Sequence, residues 1–183
     1  MGSIDSAYRD LRVRELTGGS GGALWLGVDP GNVIKINHGT VEVYSNGLPR
    51  AVVEGLVEDG EGVLWVTCHG GTLWRIKDRK ITEATALESA SRVTMSLATD
   101  KAGHLWLTQS DMVGFVRQGA FVPVAHVTHI GARLCASRDG GMWVCLGGHL
   151  IKCYDDGRVE DHGCAPDQSD RGSSGRILED RMP

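Results

Sequence analysis

The sequence predicts an all-β protein built from four copies of one short unit. An apolar residue stands nine positions before a tryptophan in each copy, and the tryptophans are 40, 41 and 37 residues apart, close to the period of roughly 40 residues that is typical of one propeller blade. Glycine accounts for 26 of the 183 residues, and no segment shows sustained helical periodicity. These observations predict a β-propeller of four-stranded blades. The apolar and tryptophan positions are Leu16 and Trp25, Leu56 and Trp65, Leu97 and Trp106, and Leu134 and Trp143.

Each repeat contains four strand candidates separated by turns. The first strand ends near the apolar residue and is followed by a turn rich in glycine and aspartate, residue types that tolerate tight turns. The second strand carries the tryptophan, and the third alternates apolar and polar residues, as in 73–77 and 150–154. The fourth is more polar, which suits an outermost strand with solvent beyond it. The first turns lie at 18–22, 59–62, 100–103 and 138–141, and the apolar positions of the fourth strands are Val41, Val43, Ile81, Phe121, Val124 and Val159.

The repeats divide nearly the whole chain. Residues 1–12 form a lead-in, and the blades within 13–175 run at about 13–50, 51–90, 91–130 and 131–172. Residues 176–183 begin a fifth repeat, because Ile177-Leu178-Glu179-Asp180 matches Leu56-Val57-Glu58-Asp59 in phase. We expect the blades to fold as one array, since each buries its faces against its neighbours. Four blades and one strand predict a partial ring, or half of an oligomeric ring that self-associates through open blade edges.

The second repeat has the most regular sequence of the four. Residues 53–67 read VEGLVEDGEGVLWVT, and His69-Gly70-Gly71-Thr72-Leu73 follows. This unit resembles the two-component regulator propeller repeat, whose units read as an apolar strand, an acidic turn, G-x-L-W-[VI]-G-T and a glycine-rich turn. The resemblance extends from about residue 13 onward and departs mainly after each tryptophan, where other dipeptides replace Gly-Thr. It implies a bacterial, periplasmic ligand-sensing propeller that signals for a sensor kinase, although this chain carries no kinase motif.

Composition and charge limit the classes of partner that the chain is expected to bind. The net charge is −4 with a pI near 5.9, and no long Lys/Arg run occurs, so a nucleic-acid ligand is disfavoured. No apolar segment approaches the roughly 18 residues of a spanning helix, and residues 1–3 do not begin a signal-peptide pattern. The five cysteines lack C-x-x-C spacing and mostly stand between apolar neighbours, which predicts buried free thiols, with a Cys135–Cys145 bridge left open.

Loop residues that differ between repeats are better ligand candidates than residues that recur. Positions four residues after each tryptophan should cluster on one face of the blades, and polar residues at or beside them could bind a small polar ligand. The recurrent tryptophans are assigned to packing between blades, and the acidic turn at 58–62 to a hairpin rather than to calcium. His126 and His129 lack zinc-site context. The ligand-binding candidates are Asp29, His69, Gln109, Asp111 and His149.

Three functional classes remain open. The favoured hypothesis is a non-catalytic ligand-sensing or interaction module, without cofactor, metal or catalytic residue, whose partner is an unknown small polar ligand or a protein. An alternative is a propeller lyase similar to the virginiamycin B lyase type, a resemblance that implies a metal and a histidine base; His69 and His149 are the only plausible bases. The third is a structural, partner-binding propeller.

Overall fold

A computed structural model describes residues 11–84, 87, 96–127, 131–146 and 148–164. Within these residues, sixteen strands form four antiparallel sheets of four strands each, in sequential order from first to fourth strand. The chain is therefore all-β, a four-bladed β-propeller, as the repeats predict. The expected strand at 176–183 lies outside the described residues.

The strands of each blade follow one another along the chain. The first blade contains β1 (Val13–Gly18), β2 (Leu24–Val28), β3 (Asn32–Asn37) and β4 (Thr40–Tyr44), with a short 3-10 helix at Ser20–Gly22. The second contains β5 (Val53–Glu58), β6 (Leu64–Cys68), β7 (Thr72–Lys77) and β8 (Lys80–Glu83). The third contains β9 (Leu97–Thr99), β10 (Leu105–Gln109), β11 (Met112–Arg117) and β12 (Ala120–His126). The fourth contains β13 (Arg133–Ala136), β14 (Met142–Leu146), β15 (His149–Cys153) and β16 (Val159–Cys164).

In the first three blades the second strand is the most deeply covered. All five residues of β6 are buried, because a blade is covered on both faces by its neighbours. Trp25, Trp65 and Trp106 are buried and Trp143 is half-buried. The fourth strands β4, β8, β12 and β16 are mostly exposed or half-buried. The polar outermost strand expected from the sequence is confirmed.

The hydrophobic core lies between blades rather than within them. One cluster joins Trp25 and Tyr44 of the first blade to Leu56 and Leu64 of the second, and two further clusters join the second blade to the third and the third to the fourth. First strands of successive blades also contact one another, β1 with β5, β5 with β9 and β9 with β13. Consequently Leu56, which the first blade covers, is only 9% exposed. The equivalent Leu16 belongs to the first blade, which no other blade precedes in the described part of the chain, and it is 44% exposed.

The turns between first and second strands touch where the second and third blades meet. The backbone N–H of Gly60 donates to the carbonyl of Gly103 at 2.9 Å. A Cβ added at Gly103 would lie 2.5 Å from the Cα of Gly60, which is too close for two carbon atoms. The two blades can therefore approach this closely only with glycine at position 103.

We predict that Gly103→Ala destabilises the protein more than Gly62→Ala does. The two glycines are equivalent: each donates its N–H to the carbonyl of the turn aspartate three residues earlier, and their φ values are +86° and +73°. Each substitution should cost about 1 kcal/mol from the left-handed backbone. Gly62 has open space where a Cβ would be, so Gly103→Ala alone carries a clash, of about 1–3 kcal/mol.

Denaturant unfolding of both variants beside the wild type measures this difference. Equal losses of unfolding free energy would show that the contact between Gly60 and Gly103 does not limit how closely the blades approach.

Candidate functional site

The candidate ligand-binding residues lie at one end of the blades, where the second strand turns into the third. We call this end the turn face. It comprises Asp29, His69, Gln109, Asp111 and His149 with the residues they contact. Neighbouring strands are antiparallel, so each second strand ends beside the start of the first strand, as when Val28 pairs with Val13 and Cys68 with Val53. The acidic turn at 59–62 lies at the opposite end.

Ion pairs occupy equivalent positions on the turn face in the first two blades. Arg14 Nε donates to Asp29 Oδ2 at 2.7 Å, and His69 Nδ1 lies 2.8 Å from Glu54 Oε1. Arg14 and Glu54 both stand two residues before the recurrent leucine, and Asp29 and His69 both stand four residues after the tryptophan. The order of acid and base is reversed between the blades, so the face presents a different charge pattern at each blade.

In the third and fourth blades, Asp111 and His149 contact residues of the outermost strand. His126 Nδ1 lies 3.5 Å from Asp111 Oδ2, and His149 Nε2 lies 2.9 Å from Asp161 Oδ1. Asp111, in the turn before β11, pairs with β12, and His149 of β15 pairs with β16. In the first two blades, β1 and β5 pair instead with the turns that follow β2 and β6. Asp29, His69, Asp111 and His149 therefore each pair with a residue of their own blade. Gln109 is half-buried at the end of β10.

The acidic turns at the opposite end use their carboxylates to hold the tryptophans. Trp65 Nε1 donates to Asp59 Oδ2 at 2.7 Å, and Trp106 Nε1 donates to Asp100 Oδ2 at 3.0 Å. The other oxygen of Asp59 accepts the backbone N–H groups of Glu61 and Val63, both at 2.9 Å. One carboxylate thus closes the hairpin and satisfies a buried indole.

The first blade satisfies its indole from the neighbouring blade. Gly19 occupies the position of Asp59, six residues before the tryptophan. Trp25 Nε1 instead donates to Glu58 Oε2 at 2.6 Å, and Ser20 N donates to Glu58 Oε1 at 2.9 Å. A Cβ on Gly19 would lie 2.5 Å from Glu58 Oε2. Glycine therefore makes room for the carboxylate that crosses between blades.

Hydrogen bonds of this kind lower the pKa values of two carboxyl groups, Glu58 and Asp100. Burial is the largest single influence on Glu58 and raises its pKa, but hydrogen bonds from Ser20 and Trp25 and the charge of Lys35 outweigh it, and the net pKa is lowered. Asp100 behaves in the same way: burial raises its pKa, and hydrogen bonds from Trp106 and His104 lower it further than burial raises it.

The sequence contains a signal for this hydrogen bond between the first and second blades. Glu58 stands two residues after the recurrent leucine, and the equivalent residues of the next two repeats are Thr99 and Ala136. The repeat that lacks an aspartate in its own turn, with Gly19, is followed by the one that supplies a glutamate. Comparing each repeat with the next one along the chain, rather than comparing the same position in all four repeats, would have revealed the pairing of Gly19 with Glu58.

All five cysteines are free thiols, so Cys135 and Cys145 form no bridge. Cys68 and Cys153 are buried, as predicted, whereas Cys135 and Cys145 are half-buried and Cys164 is exposed, so the prediction of buried thiols is wrong for these three. Burial raises the pKa of Cys68 to about 12, with a further contribution from the charge of Glu54, and raises that of Cys153 to about 11. Both side chains are therefore protonated and unreactive at neutral pH.

Neither a metal cluster nor a membrane-spanning helix occurs in the described ranges. No three His, Cys, Asp or Glu side chains there are arranged to share a metal ion. Helices of the length and apolarity needed to cross a bilayer are likewise absent from those ranges.

A groove of about 800 Å³ lies between the second and third blades, at the end opposite the turn face. Its walls include Arg75, Lys77 and Lys80 from the outer strands and His104 from the third blade. The walls also carry the carboxylates of Asp59, Glu61 and Asp78, so the groove presents both charges. It is a second place where a polar ligand could bind, and sequence reasoning did not identify it.

No protein-family profile and no curated protein sequence matches the chain. Solved β-propellers do match its structure. The virginiamycin B lyase of Staphylococcus aureus is 21% identical, with a TM-score of 0.72 over 87% of this chain and 58% of that one. The extracellular domain of a hybrid two-component system, BT4673 of B. thetaiotaomicron, is 16% identical, with a TM-score of 0.66 over 83% and 23%. A gluconolactonase of Xanthomonas campestris is 15% identical, with a TM-score of 0.61 over 84% and 62%.

The comparisons show a shared β-propeller fold. The chain spans less than two thirds of each of these proteins. They include two enzymes and one sensor domain, so the fold accommodates either kind of function.

We predict that Glu58→Gln lowers the free energy of unfolding at pH 7 by about 1–3 kcal/mol, because the amide can no longer accept hydrogen bonds from both Trp25 and Ser20. The folded-state pKa of Glu58 is lowered below its ordinary value of 4.5. Its stabilising contribution is therefore present above pH 4.5 and is lost as the pH falls through the folded-state pKa. The acid limb of the stability curve should be shallower in Glu58→Gln than in the wild type.

Glu61→Gln is the matched control, because Glu61 is an exposed glutamate in the adjacent turn. Urea unfolding from pH 7 to pH 3 measures all three proteins. If Glu58→Gln and Glu61→Gln behaved alike, the bond between the blades would contribute nothing measurable.

Proposed function

We propose that this chain is a non-catalytic ligand-binding module of the sensor type, which binds a small polar ligand at the turn face. The supporting observation is the pair of equivalent contacts, Arg14 with Asp29 and Glu54 with His69, in which the same scaffold position carries opposite chemistry in adjacent blades. A repeat scaffold that varies charge at one face offers an asymmetric ligand a matching asymmetric surface.

The geometry of His69 supports binding from solvent. Its side chain is 75% exposed while Glu54 holds Nδ1, so the remainder of the ring faces outward in a fixed orientation. Groups held by hydrogen bonds before a ligand arrives lose less conformational freedom on binding. The likeness to the extracellular domain of a two-component system supports a sensing role and a periplasmic location.

We predict that His69→Gln weakens ligand binding about tenfold, equivalent to about 1.4 kcal/mol, while leaving thermal stability unchanged. A panel of neutral hexoses, hexuronic acids and amino acids is first screened by thermal shift, and calorimetry then measures affinity for the best compound. His38→Gln is the matched control, since His38 is exposed in the turn after β3 at the opposite end. Lys77→Gln tests the groove between the second and third blades.

Loss of affinity in His69→Gln alone supports the turn face. Loss of affinity in Lys77→Gln alone would show that the ligand binds in the groove between the second and third blades instead.

A lyase is the second candidate, supported by the match to virginiamycin B lyase, which has also been solved with quinupristin as a catalytically inactive variant lacking one histidine. The chain is incubated with quinupristin and Mg²⁺, and reversed-phase chromatography separates cyclic from linear compound. Ring opening that His69→Gln or His149→Gln abolishes would replace the non-catalytic proposal.

Self-association is the third part of the proposal. Val13, Leu16 and Leu24 leave apolar surface exposed on the first blade, where the equivalent Leu56 of the second blade is covered by its neighbour. Exposed apolar patches of this kind mark interaction surfaces. We propose that copies of the chain associate through this side of the first blade.

We predict that Leu16→Glu shifts the mass measured by light scattering toward the monomer. Val52→Glu, which also introduces a charge at an exposed valine, is the control. A monomeric wild type, or equal masses for the two folded variants, would contradict this contact.

A further inference from the structure

The outer hairpin of the fourth blade aligns a thiol, an imidazole and a carboxylate. Cys164 Sγ lies 3.6 Å from His149 Nδ1, and His149 Nε2 lies 2.9 Å from Asp161 Oδ1. The imidazole thus stands between the sulfur and the carboxylate and contacts each through a different ring nitrogen. This is the order required when a histidine serves as base to a thiol and a third group orients the histidine.

An irregularity in strand pairing produces this alignment. His149 pairs with Cys164 and Ile151 pairs with Asp161, so three residues of β15 (149–151) lie opposite four residues of β16 (161–164). Gly163, at a φ of +74°, lies within the bulge, and its N–H donates to Asp161 Oδ1 at 2.7 Å. A regular strand would alternate successive residues between faces, and the extra residue brings both Asp161 and Cys164 to the imidazole.

The hydrogen-bond roles follow from the carboxylate. An ionised Asp161 can only accept, so Nε2 of a neutral His149 carries the hydrogen and Nδ1 is left as an acceptor facing the sulfur. On its other side, β15 pairs with β14, which places Leu146 opposite His149. His162 turns away, packing its ring against Trp143 and lying 3.6 Å from Glu160.

Accessibility distinguishes Cys164 from the other thiols. It is exposed, whereas Cys68 and Cys153 are buried and Cys135 and Cys145 are half-buried. The His149 and Asp161 side chains are 38% and 67% exposed, so a small molecule can reach the group from solvent.

We propose that Cys164 is a nucleophilic thiol that exchanges with small disulfides, with His149 as its base and Asp161 as the residue that positions the imidazole. His149 Nδ1 takes the thiol proton, and the sulfur attacks one sulfur of the external disulfide. The new S–S bond forms as the external one breaks, and the released thiolate takes up a proton from water. The product is a mixed disulfide at Cys164, a reversible modification within the turn face, because His149 is shared with the ligand-binding candidates. The exchange itself does not require the small polar ligand.

The experiment follows the reaction of the full chain with dithionitrobenzoate at pH 7, with the modified cysteine identified by mass spectrometry of peptides. We expect one fast thiol, located at Cys164 and lost in Cys164→Ser. His149→Gln should slow that phase about tenfold, while His162→Gln, which replaces a histidine on the same strand, should leave it unchanged.

The role of Asp161 is tested by rescue. Asp161→Asn keeps an acceptor for Nε2–H and should retain most of the rate, whereas Asp161→Ala should approach the rate of His149→Gln. In guanidinium chloride all variants with five cysteines should react alike, which separates an effect of the fold from one of local sequence. An unchanged rate in folded His149→Gln, or fast reaction at Cys135 or Cys145 instead, would overturn the proposal.

Discussion

In the first three blades the recurrent buried tryptophan donates its indole N–H to a carboxylate, and the source of that carboxylate governs how these blades are joined. The tryptophan ring fills the space between blades, where its N–H group has no water to bond. In the second and third blades the acceptor is the aspartate that closes the same blade's hairpin, Asp59 or Asp100. In the first blade it is Glu58, which reaches across from the second. One chemical requirement thus links a local turn, the packing of a core residue and the attachment of one blade to the next.

Repetition made the fold readable from the sequence. The spacing of the tryptophans predicts the blades, alternation predicts the third strands, and the polarity of residues such as Thr40 and Glu42 predicts an outer strand. Those signals are local and recur from repeat to repeat, so a chance resemblance in one repeat has little effect on the prediction.

The interactions that differ between blades could not be predicted from the repeat pattern. The contact between Trp25 and Glu58 joins residues 33 positions apart and replaces the acceptor used elsewhere. The ion pairs of the turn face depend on which strands end together, and the group around His149 depends on a bulge in β16 that no turn motif announces. Candidate positions such as Asp29 and His69 could be named from their offsets, but their partners Arg14 and Glu54 required strand pairing.

The bond from Glu58 to Trp25 also bears on how such a chain can grow by duplication. A copy of the second repeat inserted in place of the first would put an aspartate where Gly19 stands, beside a glutamate that already occupies that space. Two carboxylates would then compete for one indole hydrogen and repel each other. At this boundary the residues that must be inherited together are therefore those of the junction, half of one blade and half of the next. Recombination that preserves junctions would keep a working interface, whereas exchange of whole blades would not.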